Sequence, residues 1–180
     1  ITAGAVKAHK QKYDDFAVLQ IDAHADLRHE YEGSKYSHAC AMRRVRDLAI
    51  PVVAVGIRSI TKEEHEEVEE KAWPIFWSWS LQGQWIDQVL AKLPDKVYIS
   101  LDADGLDPSI MPGTGTPEPG GLTWKNIFQL LHRVCTEKEV IAFDLVEVAP
   151  VAGSNISEFT AAKLAAMTIG LVEKKAGRVR

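Results

Sequence analysis

Cysteine is scarce in this chain: its 180 residues include two, Cys40 and Cys135, far apart in the sequence. Two such thiols do not make a disulfide framework and fit buried thiols in a reducing compartment, so a cytoplasmic location is expected. Long apolar runs are missing as well. The longest, residues 48–57, is interrupted by Pro51 and Gly56 and falls well short of the ~20 residues that cross a bilayer, so no membrane span is expected. There is no basic face. The formal net charge is -4 and acids gather in Lys62–Lys71, KEEHEEVEEK, which argues against nucleic acid as a partner. The opening ITAGAVKAHKQKY lacks the apolar core of a signal peptide. Repeats, low-complexity tracts and linkers are also missing, so residues 1–180 are expected to form one domain.

What is present is ordinary globular material, 46% hydrophobic and 26% charged. A chain of this length can bury a sufficient core without a disulfide or a structural metal, so any metal calls for a functional explanation. Periodicity and breakers together predict alternating strands and helices. Helical composition over Ala3–Tyr13 is followed by the apolar run Phe16–Ile21. Helix is then expected at Ser37–Leu48 and strand at Pro51–Ile57. Thr61 and Glu64 have capping-box spacing and should open the acidic helix. A brief strand follows at Pro74–Trp77, a helix at Leu81–Leu93 and a strand at Lys96–Leu101. Gly105–Leu122 is too rich in glycine and proline for either element. Helix resumes at Thr123–Cys135, strand at Val140–Val146 and helix at Glu158–Val172. Strands separated by helices of ten or more residues predict a three-layer α/β/α fold with a mostly parallel sheet, because parallel strands need crossover connections.

The acids sit where such a fold places its chemistry, just beyond the carboxyl ends of the strands. FAVLQI runs into Asp22-Ala23-His24-Ala25-Asp26, KVYISL into Asp102-Ala103-Asp104, and VIAFDLV into Glu147. In extended chain, alternate side chains point the same way, so Asp22, His24 and Asp26 can converge, as can Asp102 and Asp104. One aspartate after a strand is a common turn or cap residue. Two alternating clusters, one carrying histidine, exceed what turn preference supplies. Four carboxylates and one imidazole favour manganese or magnesium over zinc or iron, and so much negative charge points to two divalent ions.

These segments, with Leu27-Arg28, Ser100-Leu101, Gly105-Leu106-Asp107-Pro108 and Pro112-Gly113-Thr114-Gly115-Thr116-Pro117-Glu118-Pro119-Gly120-Gly121-Leu122, resemble the signatures of the arginase/agmatinase ureohydrolase family. Phe143-Asp144-Leu145-Val146-Glu147-Val148-Ala149-Pro150 is similar to its last motif. The resemblance implies hydrolysis of a small guanidino substrate to urea and an amine on two Mn2+ ions held by Asp22, His24, Asp26, Asp102 and Asp104, with Asp22 and Asp102 bridging. It implies that Glu147 binds the guanidinium and that Thr116 lines the site. His38, in Tyr36-Ser37-His38-Ala39-Cys40, resembles a proton-shuttling histidine of the agmatinase branch, and Asp26 or His38 would protonate the leaving amine. Agmatine is the expected substrate; arginine, guanidinobutyrate and formiminoglutamate use the same metal chemistry. Family members commonly form trimers or hexamers, so a homo-oligomer is expected.

The resemblance also implies a preceding strand ending in a Gly-Gly-Asp/Glu-His motif that supplies a further metal ligand, and Ile1-Thr2 resembles the residues that follow it. An absent amino-terminal third, with its sheet strands and one ligand of the first metal, is therefore expected. Two other readings stay open: a metal-binding but inactive domain acting by assembly, and a magnesium-dependent phosphoryl-transfer module. The second lacks a Gly-Lys-Ser/Thr phosphate loop.

Overall fold

In the computed structural model, which describes residues 1–179, five parallel strands form one sheet in the order β3-β2-β1-β4-β5. They are β1 (Ala17–Ile21), β2 (Val52–Ile57), β3 (Ile75–Trp77), β4 (Lys96–Asp102) and β5 (Glu139–Val146). The helices are α1 (Thr2–Lys10), α2 (Ala41–Arg46), α3 (Lys62–Lys71), α4 (Trp85–Lys92), α5 (Trp124–Glu137) and α6 (Ile156–Lys175). None of the helices among the described residues is long and apolar enough to cross a membrane.

Strand alternation divides the buried side chains between two layers. Leu19, Ile21, Val53, Val55, Val97, Ile99 and Leu101 pack against Val89 and Leu90 of α4, Ile127, Leu131 and Val134 of α5, and Leu164 of α6. Val18, Val52, Ala54 and Tyr98 pack instead against Val6 of α1, Met42 and Val45 of α2, and Val68 of α3. Strands β1 and β2 are buried along their whole length, which is why they read as continuous apolar runs rather than as alternating ones. The expected three-layer α/β/α architecture is therefore the one observed.

Boundaries moved where local chemistry outweighed pattern. The helix expected at Leu81–Leu93 begins at Trp85, because Ser78–Ser80 form a 3-10 turn and Gly83 takes a φ of +60°. The helix expected at Ser37–Leu48 splits into a 3-10 turn at His38–Cys40 and α2. The Thr61/Glu64 capping box is formed in both directions.

Chain order creates the site. From β1 the chain moves outward through β2 and β3, then returns to place β4 on the other side of β1. The carboxyl ends of β1 and β4 thus flank a topological switch point, where crossovers leave in opposite directions and a crevice opens. The packing makes a direct prediction. Leu131 is fully buried in α5, so Leu131→Ala should cost about 2–5 kcal/mol by creating a cavity, read as a shifted urea-unfolding midpoint at an unchanged slope. A shift below about 0.5 kcal/mol would mean that this layer is not packed as described.

Candidate metal centre

The loops after β1 and β4 lie side by side and are bonded to each other. The Ala23 N–H donates to Asp104 Oδ1 at 3.1 Å, while within the second loop the Asp104 N–H donates to Asp102 Oδ1 at 3.0 Å. This approach needs a glycine: a Cβ on Gly105 would sit 2.8 Å from the Asp22 nitrogen and 2.9 Å from Ile21. Across the join, His24 Nδ1 lies 3.1 Å from Asp104 Oδ2 and 3.7 Å from Asp22 Oδ1. One donor atom each from Asp22, His24 and Asp104 falls within a 4.8 Å sphere of mutual distances. Asp26 and Asp102 line the same cavity, of about 590 Å³, together with His38, Thr116 and Glu147. All eight residues singled out in the sequence therefore face one cavity.

They do not face it equally. Asp22, Asp102 and Asp104 are buried, His24 and Asp26 half-buried, and His38, Thr116 and Glu147 exposed. The deep end of the cavity is thus acidic and buried, and the guanidine-binding and proton-shuttling candidates stand at its mouth. Thr116 reaches inward by donating to Asp104 Oδ2 at 3.2 Å. His38 opens the 3-10 turn, with the Tyr31 ring edge-on at 5.6 Å. Glu147 follows β5 in a left-handed backbone conformation (φ 60°), and Asp26 does the same after β1 (φ 55°). Non-glycine residues hold such conformations only where surrounding bonds over-determine them.

Those bonds can be named. Beside Asp26, the Leu27 N–H donates to Glu64 Oε1 at 2.8 Å, the Arg43 N–H donates to the Asp26 carbonyl at 3.0 Å, and Arg43 Nε donates to the Leu27 carbonyl at 2.8 Å. Arg43 is itself anchored by a paired ion contact to Glu67. Next to Glu147, the 112–122 segment pairs with the chain after β5: Thr114 bridges Val148, and the Ala149 N–H donates to the Gly113 carbonyl at 2.9 Å. A Cβ on Gly113 would meet the Ala149 oxygen at 2.4 Å, which explains that glycine.

The sequence reading missed Gln20, Glu64 and Arg43. Gln20, the polar residue inside FAVLQI, donates its amide to Asp22 Oδ2 at 3.0 Å and to the His24 carbonyl at 2.9 Å. A lone amide in an otherwise apolar central strand was the available signal. Glu64 and Arg43 gave none, because their partners are distant in sequence.

Crowding shows in the acidities. Burial, followed by the nearby Asp104 charge, pushes Asp22 up to about 7. Burial and the Asp22 and Asp104 charges push Asp102 up to about 11. Asp26 rises well above the ordinary carboxylate value for the same reasons, burial first. Burial also opposes ionisation of Asp104, but hydrogen bonds from His24 and the Ala23 N–H outweigh it and hold this carboxyl below its usual value. The bond to Asp104 raises the His24 pKa despite partial burial. Carboxylates that are hard to ionise for want of a counter-charge suit a divalent cation, and oxygen donors with one imidazole suit the Mn2+ or Mg2+ end of the series.

Residues 1–170 match the model of the arginase family. The chain belongs to the arginase family. This arginase-family chain is 45% identical over 174 residues to the N(1)-aminopropylagmatine ureohydrolase of Synechocystis sp., an overlap of 94% of this chain and 57% of that protein. It is 42% identical over 150 residues to the agmatinase of Bacillus subtilis, 81% of this chain and 51% of that one. The solved agmatine ureohydrolase of Thermoplasma volcanium superimposes with a TM-score of 0.87 at 35% identity, covering 100% of this chain and 61% of its own. The family member described here thus spans between 51% and 61% of the length of these three proteins.

The acidities predict how the metal-free chain responds to pH. A carboxyl whose pKa is higher in the folded state than in the unfolded chain holds an extra proton there, so stability drains as pH rises between the two values. For Asp22 that window runs from its ordinary 3.8 to about 7, for Asp102 to about 11, and the raised His24 acts in the same direction above 6.5. Asp104, with the opposite shift, matters only below its usual value. In chelator, the melting temperature should therefore fall between pH 5 and pH 8 by more than about 3 °C, equivalent to about 1 kcal/mol for a chain of this size. Mn2+ at pH 8 should restore it. A level metal-free profile would contradict the crowding.

Proposed function

We propose that this chain is the metal-binding, catalytic portion of a ureohydrolase that acts on a linear guanidino amine of the agmatine type and releases urea. The observation that carries the reading is the convergence of Asp22, His24 and Asp104 within one cavity whose mouth holds Glu147. Names of relatives support the substrate class: the Synechocystis and Bacillus proteins are called after aminopropylagmatine and agmatine, and both compounds join a guanidinium to an amine.

In this reading Asp22, His24, Asp26, Asp102 and Asp104 hold two divalent ions, Mn2+ by preference. When bound, such ions supply Lewis acidity and make water nucleophilic at neutral pH. The chain's own residues do the rest. Glu147 presents a carboxylate at the cavity mouth, where it can accept paired N–H bonds from a guanidinium fork and fix the central carbon against the acidic floor. Thr116 keeps Asp104 oriented through its hydroxyl. As the oxygen of water bonds to the guanidinium carbon, the carbon–nitrogen bond to the alkyl amine breaks, and that nitrogen needs a proton. Asp26, which lines the cavity, can take the proton that the attacking water gives up and pass it to that nitrogen, and exposed His38 can exchange protons with solvent. Urea and the free amine are the products.

The test combines Mn2+ stoichiometry with urea release from agmatine, N(1)-aminopropylagmatine, arginine and guanidinobutyrate. Bound Mn2+ with urea from the first two compounds is expected. Metal without urea would support the alternative of a metal-binding domain that acts by assembly, and no metal would defeat both. Glu147→Gln should raise KM about tenfold or more, the loss of a charge-assisted hydrogen bond of about 1.5–3 kcal/mol, with metal content unchanged. Lost metal would show Glu147 to be a ligand instead.

A further inference from the structure

Arg58 directly follows β2, and its guanidinium is directed at main-chain carbonyls from three segments. Nε donates to the Pro119 and Glu118 oxygens at 3.0 and 3.2 Å, and Nη1 to the Gly56 oxygen at 3.0 Å. Nη2 donates to the Asp104 and Glu118 oxygens at 2.6 Å each and to the Leu106 oxygen at 3.5 Å. Carbonyls gathered in this way only accept, so they need a shared donor, and a rigid fork of five N–H groups is the side chain that can serve several at once. The two shortest of these bonds end on Asp104 and Glu118. Between those anchors in the chain lies Thr116, whose hydroxyl donates to Asp104 Oδ2, the same oxygen that faces His24 Nδ1.

We infer that Arg58 is a positioning residue that ties the 104–106 loop to Glu118–Pro119, and so sets where Asp104 and Thr116 face the metal cavity. The inference rests on the reading of that cavity as a metal site. It makes a prediction whose sign separates it from plain electrostatics. A guanidinium beside a cation site repels the cation, so on charge alone its removal would tighten Mn2+ binding. Positioning requires the reverse, because a loosened Asp104 is a poorer ligand however favourable the field.

The experiment is a Mn2+ titration of the full chain, with free ion followed by electron paramagnetic resonance, for the unaltered protein, Arg58→Lys, Arg58→Gln and the core variant Leu131→Ala. Lysine keeps the charge but loses the fork; glutamine loses both. Both Arg58 variants should bind Mn2+ about 10–100-fold more weakly, while Leu131→Ala, less stable but remote from the cavity, should bind as the unaltered chain does. Unchanged or tighter binding in the Arg58 variants would overturn the inference, and so would equal weakening in Leu131→Ala. Should neither Arg58 variant fold, amide hydrogen exchange of the unaltered chain decides. Added Mn2+ should then slow exchange at Gly120 and Gly121, which follow the tied segment, and no change there would overturn the inference. If the unaltered chain binds no Mn2+, the metal reading fails and this inference falls with it.

Discussion

The gathering of several carboxyl groups at one buried point is the constraint on which the rest of this structure depends. Asp22, Asp102 and Asp104 are buried at one point, with Asp26 beside them, and burial is the leading cause of the raised pKa values of three of the four. Left to themselves, such groups would separate or stay protonated. The fold instead fixes them through bonds they cannot easily abandon. Main-chain N–H groups of Ala23, His24 and Asp104 donate to them, the Gln20 amide does likewise, and the glycine at 105 lets the two loops touch. A rigid, preorganised and under-neutralised pocket of this kind is what a divalent cation needs.

The sheet makes this arrangement possible because β1 and β4 are neighbours in its middle. Their apolar residues are locked between α4, α5 and α6 on one face and α1, α2 and α3 on the other. Side chains at the strand ends therefore inherit the rigidity of the core, whereas Glu147, Thr116 and His38 stand exposed at the rim. Even the rim is braced. Glu147, in a left-handed conformation, stands where a second segment bonds the adjacent backbone, as does Asp26 within the cavity.

Much of this was legible in the sequence, for a physical reason. Apolar runs ending in Asp22 or Asp102, alternation of ligand types, the Thr61/Glu64 cap and the Gly/Pro segment are all local patterns, and local patterns report strands, caps and turns directly. What stayed hidden depends on contacts between residues far apart in the chain. Glu64 reaches back 37 positions to Leu27, and Arg58 reaches forward 60 to Glu118, pairings for which no nearby residue gives a signal. The late start of α4 had a readable cause in Gly83, but the apolar Leu81 before it and Trp85 and Ile86 after it mimic a longer helix. Exposure of Glu147 also escaped prediction, because a charged residue after a buried strand looks the same whether it faces inward or lines an opening.

The central claim is that the loops after β1 and β4 together hold metal. Diffraction from crystals grown with Mn2+, recorded at the manganese absorption edge, tests it most directly. The account predicts anomalous density among Asp22, His24 and Asp104, flanked by Asp26 and Asp102. Manganese bound only elsewhere on the molecule, or an ordered cavity containing none at millimolar ion, would contradict it.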